Sequence, residues 1–254
     1  MVEFGYDSLM TFMQCPLKYK FEYVDNINTN KESIKVYFKN TIHQTIKHFF
    51  KVLDEEGELL HQKQLNNHWS DLWFERVESE DILRGNKSEK ANLTKKGYSF
   101  LKKFHRYQID NPGSPIAVDL DYTINYMDEY KFSGNFELIR EIDDKIQIVH
   151  FSTSRYVPDE FRQENDVSFT LNSYAFRQMF EKKENETLYY HIRTNKNLPV
   201  YRGQGDYNKL LTIMNNIKSC IDQGLFYPRQ SYKCKQCPYN RQCTAWEGDN
   251  RERL

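Results

Sequence analysis

Three cysteines close to the C-terminal end stand as C-x2-C-x5-C (Cys234, Cys237 and Cys243), and a fourth, Cys15, lies almost the whole chain away. Two cysteines separated by two residues can turn both sulfurs toward one ion. Cys243 and Cys15 can then complete a set of four thiolates. Such a set ties the first helix to the tail and closes a loop of nearly the full chain, which constrains the fold more than any other feature. Four protein thiolates leave no open coordination position, so the role is structural. Zinc and a [4Fe–4S] cluster both accept this donor set, and spacing alone does not choose between them. The competing reading is three unrelated tail cysteines and one buried one. Cys220, on the apolar side of the preceding helix, reads as a packed residue, since a free cysteine behaves as a small hydrophobe.

A chain of 254 residues supports one well-buried core or at most two small domains. With 18 Tyr and 17 Phe, the bulk of it is not disordered. Lys plus Arg equals Asp plus Glu at 36 each, so no global field steers the protein onto a polyanion. Nucleic-acid binding then needs a local basic surface or a partner that brings one. The opening MVEFGYDSLM has no basic segment followed by an apolar run, and no stretch reaches the roughly 18 to 20 apolar residues that span a bilayer. The expectation is an intracellular reducing compartment, most simply the cytoplasm, with no membrane partner.

Hydrophobic spacing predicts a helix over 5–24, interrupted at Pro16, and a second over 36–53 with Phe38, Ile42, Ile46, Phe49 and Phe50 on one side. Residues 62–107 keep helical clusters around Trp69, Trp73 and Phe100–Phe104, and Glu78 to Lys96 reads as an exposed linker. After Asn111-Pro112-Gly113 the period changes. Ile116, Val118 and Leu120 alternate, and Phe132–Ile139 and Ile146–Phe151 are candidate strands joined at Asp143-Asp144. A helix over 167–181, a buried strand over 187–192 and a helix over 210–221 follow. This order suits a single α/β domain over 1–254, with an N-terminal helical region (1–110), an α/β core (111–222) and a cysteine-rich C-terminal lobe (223–254) joined to Cys15.

The run Ser8-Leu9 through Phe12, Cys15-Pro16 and Tyr19 is similar to the S-x-L-x-x-F-x-x-C-P-x-x-Y/F opening of the RecB/AddB/Cas4-like branch of the PD-(D/E)XK nucleases. The resemblance implies a restriction-endonuclease-like central mixed sheet flanked by helices, with a C-terminal iron–sulfur lobe. It also implies a [4Fe–4S] cluster on Cys15, Cys234, Cys237 and Cys243, with zinc at the same cysteines as the alternative. His43 matches the family's early helical histidine, although Lys39 stands where a glycine usually precedes it. Gly134-Asn135-Phe136-Glu137 falls on the G-x-x-D segment, which puts Glu137 at the Mg²⁺-binding acid. Ile148 to Thr153 falls on V-x-D-x-K-T, so His150 replaces the second acid and Ser152 the lysine. Tyr174 matches the tyrosine of Q-x-x-x-Y, whose glutamine position is Thr170.

These replacements weaken hydrolysis. Imidazole is a poor ligand for Mg²⁺, and serine cannot supply the lysine's charge beside an attacking water. Losing both groups costs roughly a thousandfold in rate or more, so Mg²⁺ or Mn²⁺ at this site is not the leading expectation. Asp143, Asp144 and Lys145 read as a solvated turn. Arg177 is a candidate migrated charge, though it holds its proton too firmly for a base. A His43/Glu137/His150 transition-metal site competes with a polar core network, and the remaining histidines read as ordinary. Two basic runs are candidate DNA contacts: Lys18, Lys20, Lys31, Lys35, Lys39 and Lys47 with interleaved tyrosines, and Arg229, Lys233, Lys235 and Arg241 around the cysteines. Both compete with plain solvation. The leading expectation is a catalytically inactive scaffold or DNA-binding subunit, meeting single-stranded DNA or a duplex end beside a protein partner in DNA processing or mobile-element biology. The alternatives are a divergent Mg²⁺/Mn²⁺ deoxyribonuclease and an interaction or regulatory module with no DNA role.

Overall fold

The computed structural model describes residues 2–27, 29, 32–77, 82–83, 87–128, 130–246 and 248. Strand β1 (Val2–Gly5) leads into α1 (Tyr6–Gln14), and Pro16 opens α2 (Pro16–Tyr19), which runs into one π-turn (Lys20–Val24). Proline starts a helix but cannot continue one, so the helical stretch breaks at Cys15. After β2 (Glu32–Ser33), Ser33 caps α3 (Ile34–Glu56) by accepting the Val36 N–H at 3.3 Å, and Gly57 ends it at φ 71°. Next come α4 (Gln62–Arg76), β3 (Ile82–Leu83) and α5 (Lys87–Asp110). Much of the expected 78–96 linker is therefore helix. Its charges face outward while Leu93 and Gly97 turn inward. Residues 78–81 and 84–86 lie outside the described residues.

The sheet strands β4 (Ser114–Tyr126), β5 (Tyr130–Ile142) and β6 (Lys145–Ser152) follow, then α6 (Glu160–Glu164) and α7 (Val167–Phe180). Strands β7 (Glu186–His191) and β8 (Lys196–Val200), helix α8 (Gln204–Asp222), a 3-10 turn (Tyr232–Gln236) and α9 (Asn240–Ala245) complete the chain.

Strand β4 pairs antiparallel along all of β5. On the other edge of β5, parallel β1 covers Tyr130–Ser133 and antiparallel β6 covers Leu138–Ile142. Two strands thus share one edge, and β5 is forked at 134–137. Outward from β6, β7 is parallel to it and β8 antiparallel to β7, which makes the sheet mixed.

Helices cover both faces. Residues of α3, α4 and α5 pack with Leu138, Val149, Phe151 and Tyr190, whereas α1, α7 and α8 pack with Phe132, Phe136, Ile139 and Ile148. Neighbours Ile148 and Val149 go to opposite faces, as a strand requires. That alternation slips once on β4 and β5. Leu120 and Phe136 face α7, while Val118 and Leu138, two residues along, face α3. Between them lies Asp119, held at φ 55°, and like Glu137 on β5 it falls in the gap between the Val118–Leu138 and Leu120–Phe136 pairs. Asp tolerates this left-handed conformation better than a β-branched residue does. The slip turns both carboxylates to the place where the β5 edge divides. Among the described residues no helix is long and apolar enough to cross a membrane.

Candidate functional site

At the fork lies a cleft of about 730 Å³, lined from α1, α3, the three central strands and the start of α7. His43, Glu137, His150 and Ser152 all line it, so the fold gathers four of the five positions that the sequence pattern singled out. Tyr174 is not among the lining residues. Its hydroxyl accepts the Met127 N–H at 3.1 Å and its ring packs on Tyr126. Ser168, Phe169 and Asn172 are the α7 residues that face the cleft.

Each chemistry-bearing position is engaged by the protein itself. Glu137 Oε1 is 2.5 Å from His43 Nδ1, and Oε2 accepts the Phe151 N–H at 3.0 Å. Burial by itself would raise this carboxyl, but His43, then His150 and the Phe151 N–H, outweigh it and hold the pKa at about 2. His150 Nε2 meets the Asn172 amide at 3.2 Å, so that nitrogen is the acceptor and the proton sits on Nδ1. Burial lowers the His150 pKa and keeps the ring neutral at pH 7. Asn172 in turn accepts the Tyr122 hydroxyl at 2.6 Å. Tyr122 reaches it by lying across Gly134, where a Cβ would come within 2.5 Å of the phenol oxygen. Ser152, which the resemblance aligns with a lysine, accepts the Tyr189 hydroxyl at 2.6 Å and the Ser154 N–H at 3.2 Å. One cleft-lining side chain keeps an unpartnered buried atom, His43 Nε2.

Asp119 adds a further charged knot. Lys47 and Lys51 donate to it at 2.5 and 3.2 Å, and Asn135 bridges it to Asp121. Burial pulls its pKa up, and the two lysines more than reverse that. Asp166, also in the cleft, caps α7 through Ser168. Asp119, Asn172 and Tyr189 were not singled out from the sequence. Asp119 gave no signal, since it falls on an ordinary polar position between Val118 and Leu120 in the alternation of β4. Asn172 sits two residues before the matched tyrosine, and nothing in the sequence marks Tyr189.

Neither of the alternative charged positions lines the cleft. Asp143 and Asp144 form a positive-φ turn, exposed with Lys145. Arg177 is spent on Glu184, at 2.8 and 2.7 Å, and on the Arg202 carbonyl. Among the described residues no three or more His, Cys, Asp or Glu are gathered as a metal site, the His43/Glu137/His150 set included. At the fork Glu137 has both oxygens engaged, Asp119 is held by Lys47 and Lys51, and His150 places an imidazole where Mg²⁺ favours a hard oxygen. Other histidines have local partners. His48 stacks on His68 at 3.9 Å, and His105 reaches the Leu60 carbonyl at 2.8 Å.

The fold brings the tail to Cys15. The Leu17 N–H bonds to the Tyr227 carbonyl at 3.0 Å, and Leu17, Phe21 and Tyr239 bury a small apolar cluster against Cys15, Cys237 and Cys243. The Arg229 N–H points to Cys15 Sγ at 3.4 Å and the Ser231 N–H to Cys234 Sγ at 3.3 Å. The four thiols lie within electrostatic reach of one another, although not drawn into a ligand set. Cys220 packs against the α1/α7/α8 core as expected.

The two expected basic surfaces are largely occupied. Lys18, Lys20 and Lys35 pair with Glu22, Asp25 and Glu89, and Lys47 with Asp119. Lys31 lies outside the described residues. Lys39 lines the cleft. In the tail, Arg229 donates to the Met13 carbonyl and Lys233 to Gln14, so both stitch the tail to α1.

A forked mixed sheet between two helical layers, with a carboxylate at the fork and a histidine above it, defines a nuclease-like fold. The family model of the PD-(D/E)XK nuclease superfamily matches residues 3–244, and the chain belongs to that superfamily. Comparison with curated proteins finds no match. Among solved structures, one described as "Crystal structure of SSO0001" is similar at 14% identity and a TM-score of 0.35, over 91% of this chain and 95% of that one. A superposition that loose adds nothing to the assignment.

Proposed function

We propose that this protein is a non-catalytic nuclease-fold subunit that binds DNA within a DNA-processing complex, belonging to the RecB/AddB/Cas4-like branch. The observation that carries the reading is that Glu137 spends both oxygens on His43 and the Phe151 N–H, while His150 Nε2 meets Asn172 and Ser152 Oγ meets Tyr189. Mg²⁺-assisted hydrolysis needs hard oxygen ligands open to the metal and a charge near the attacking water. Here a serine hydroxyl network fills the place of that charge. Cys15, Cys234, Cys237 and Cys243 fit a structural [4Fe–4S] cluster or zinc by donor chemistry, because three of the thiols share an apolar pocket, and Cys15 and Cys234 face backbone N–H groups. Such a group would fasten the tail to α1 and would take no part in hydrolysis.

The test is incubation of anaerobically purified protein with end-labelled single- and double-stranded DNA in Mg²⁺ or Mn²⁺, beside Glu137→Ala, with the same samples run on a binding gel. Retention without cleavage is expected. Cleavage that the Glu137→Ala change abolishes overturns the reading in favour of a divergent deoxyribonuclease. Neither retention nor cleavage moves it to a protein-interaction module.

A further inference from the structure

Beyond the cleft, where β6 and β7 end side by side, four cations collect. His191 Nε2 lies 3.0 Å from the Ser154 carbonyl, so the segment after β6 and the turn after β7 run together. Arg155 follows on the first and Arg193 on the second. Lys103 donates to the Arg193 carbonyl at 3.0 Å, and Lys196 acts on His191 alongside Arg193. The ion pairs of the described residues involve none of these four. Arg193 is pinned 5.1 Å over the Phe100 ring, and its Nε is buried with no hydrogen-bond partner. Burial, and then the charge of Arg155, lowers its pKa. The two guanidiniums thus flank the contact between Ser154 and His191, and among the described residues no ion pair engages either. A phosphate is the group that relieves both.

An exposed aromatic adjoins this patch. Tyr156 is 69% exposed, and the Arg155 guanidinium lies 5.1 Å over its ring. Its carbonyl accepts the Ser154 hydroxyl at 2.6 Å, and Ser154 meets Tyr189 at 3.1 Å. Tyr189 donates to Ser152, so a chain of hydroxyls links the Tyr156 backbone to the cleft. Phe161, 74% exposed, follows on α6. There Arg162 and Asp159 pair at 3.5 Å and leave that end charge-balanced. Large rings this open to water are where a soluble surface meets a partner.

We propose that Lys103, Arg155, Arg193 and Lys196, with Tyr156 and then Phe161, form a path for single-stranded nucleic acid leading out of the cleft. The cations take successive phosphates and the rings stack bases. A single strand is the occupant because stacking needs an open base face, which a duplex hides. The inference rests on the nucleic-acid-binding reading above and assigns its ligand class.

The test is fluorescence anisotropy with a labelled oligothymidine and a blunt duplex, each about twenty residues long, titrated across roughly 50 to 300 mM salt. Wild type is expected to prefer the oligothymidine. Tyr156→Ala is expected to weaken that binding about tenfold with the salt slope unchanged, and to leave the duplex alone. Arg155→Ala and Arg193→Ala should each flatten the slope by about 0.7. Tyr232→Ala, at the 85% exposed aromatic of the tail, should change nothing. Oligothymidine binding that survives Tyr156→Ala and Arg155→Ala intact overturns the path and leaves the DNA-binding reading standing. Binding of neither ligand by wild type overturns both. Circular dichroism confirms that the variants are folded.

Discussion

Replacing Glu137 with glutamine keeps a carbonyl oxygen for the Phe151 N–H and removes the charge that His43 and His150 face. The carboxyl is held at about 2 against an ordinary 4.5, because these partners outweigh its burial. A native pKa below the unfolded one adds stability that is complete above the unfolded value and is lost as pH falls through the native one. That difference corresponds to at most about 3 kcal/mol at pH 7, about 2 kcal/mol at pH 3.5 and little below pH 2. The gap in unfolding free energy between wild type and Glu137→Gln should therefore narrow by about 1 kcal/mol from pH 7 to pH 3.5. Urea unfolding followed by tryptophan fluorescence reads it, since Trp69 and Trp73 are fully buried. Asp119, which its lysines also hold low, shares the cleft with Glu137, so the pair of measurements is repeated in an Asp119→Asn background to remove its share. A gap that stays constant or widens on acidification refutes the assignment of the Glu137 charge as stabilising.

Gly97→Ala places a Cβ 2.2 Å from the buried Trp69 ring, so α4 and α5 must separate. A loss of about 1 to 3 kcal/mol is expected in urea, with a shift in tryptophan emission; wild-type stability would mean that the two helices are not packed as described. For the cysteines, anaerobically purified wild type is expected to carry iron or zinc by elemental analysis, with absorbance near about 400 nm if the metal is a cluster. Cys15→Ser should lower both metal content and melting temperature, and a metal-free, equally stable wild type sinks the site.

The sequence made the longer elements legible: α3 and α7 by helical spacing, β4 by alternation, β5 and β6 by apolar runs about the Asp143-Asp144 turn, and β7 as a buried run. Four-residue β1 and five-residue β8 are too short to show a period. Lys87 to Lys96 looked like a linker because charges dominate it, yet Leu93 and Gly97 supply the inward face that tertiary packing needs. At the cleft, motif order located His43, Glu137, His150 and Ser152. Their partners were out of reach because each comes from a different element: Asn172 from α7, Tyr189 from β7 and Tyr122 from β4. The basic path was missed for the same reason. Lys103, Arg155, Arg193 and Lys196 form no run in the sequence, and only the parallel ends of β6 and β7 bring three of them together.

A glutamate at a position that the family resemblance aligns with a metal-binding acid is ordinarily read as a trace of catalysis. Position 137 offers a different cause. It lies where β1 has left the edge of β5 and β6 has just joined it, so the ladder is interrupted there. The Phe151 N–H donates to Glu137 Oε2, in a place where an unpaired backbone donor costs as much as a lost hydrogen bond. Oε1 meanwhile orients the His43 ring from α3. Removing the acid would orphan a strand N–H and an imidazole in one step, whether or not any metal ever bound. His150 and Ser152 hold no strand N–H at the interruption; they meet Asn172 and Tyr189 instead. A glutamate at 137 is thus accounted for by the hydrogen bonding of the fork, and loss of folding in a Glu137 variant is by itself no evidence for hydrolysis.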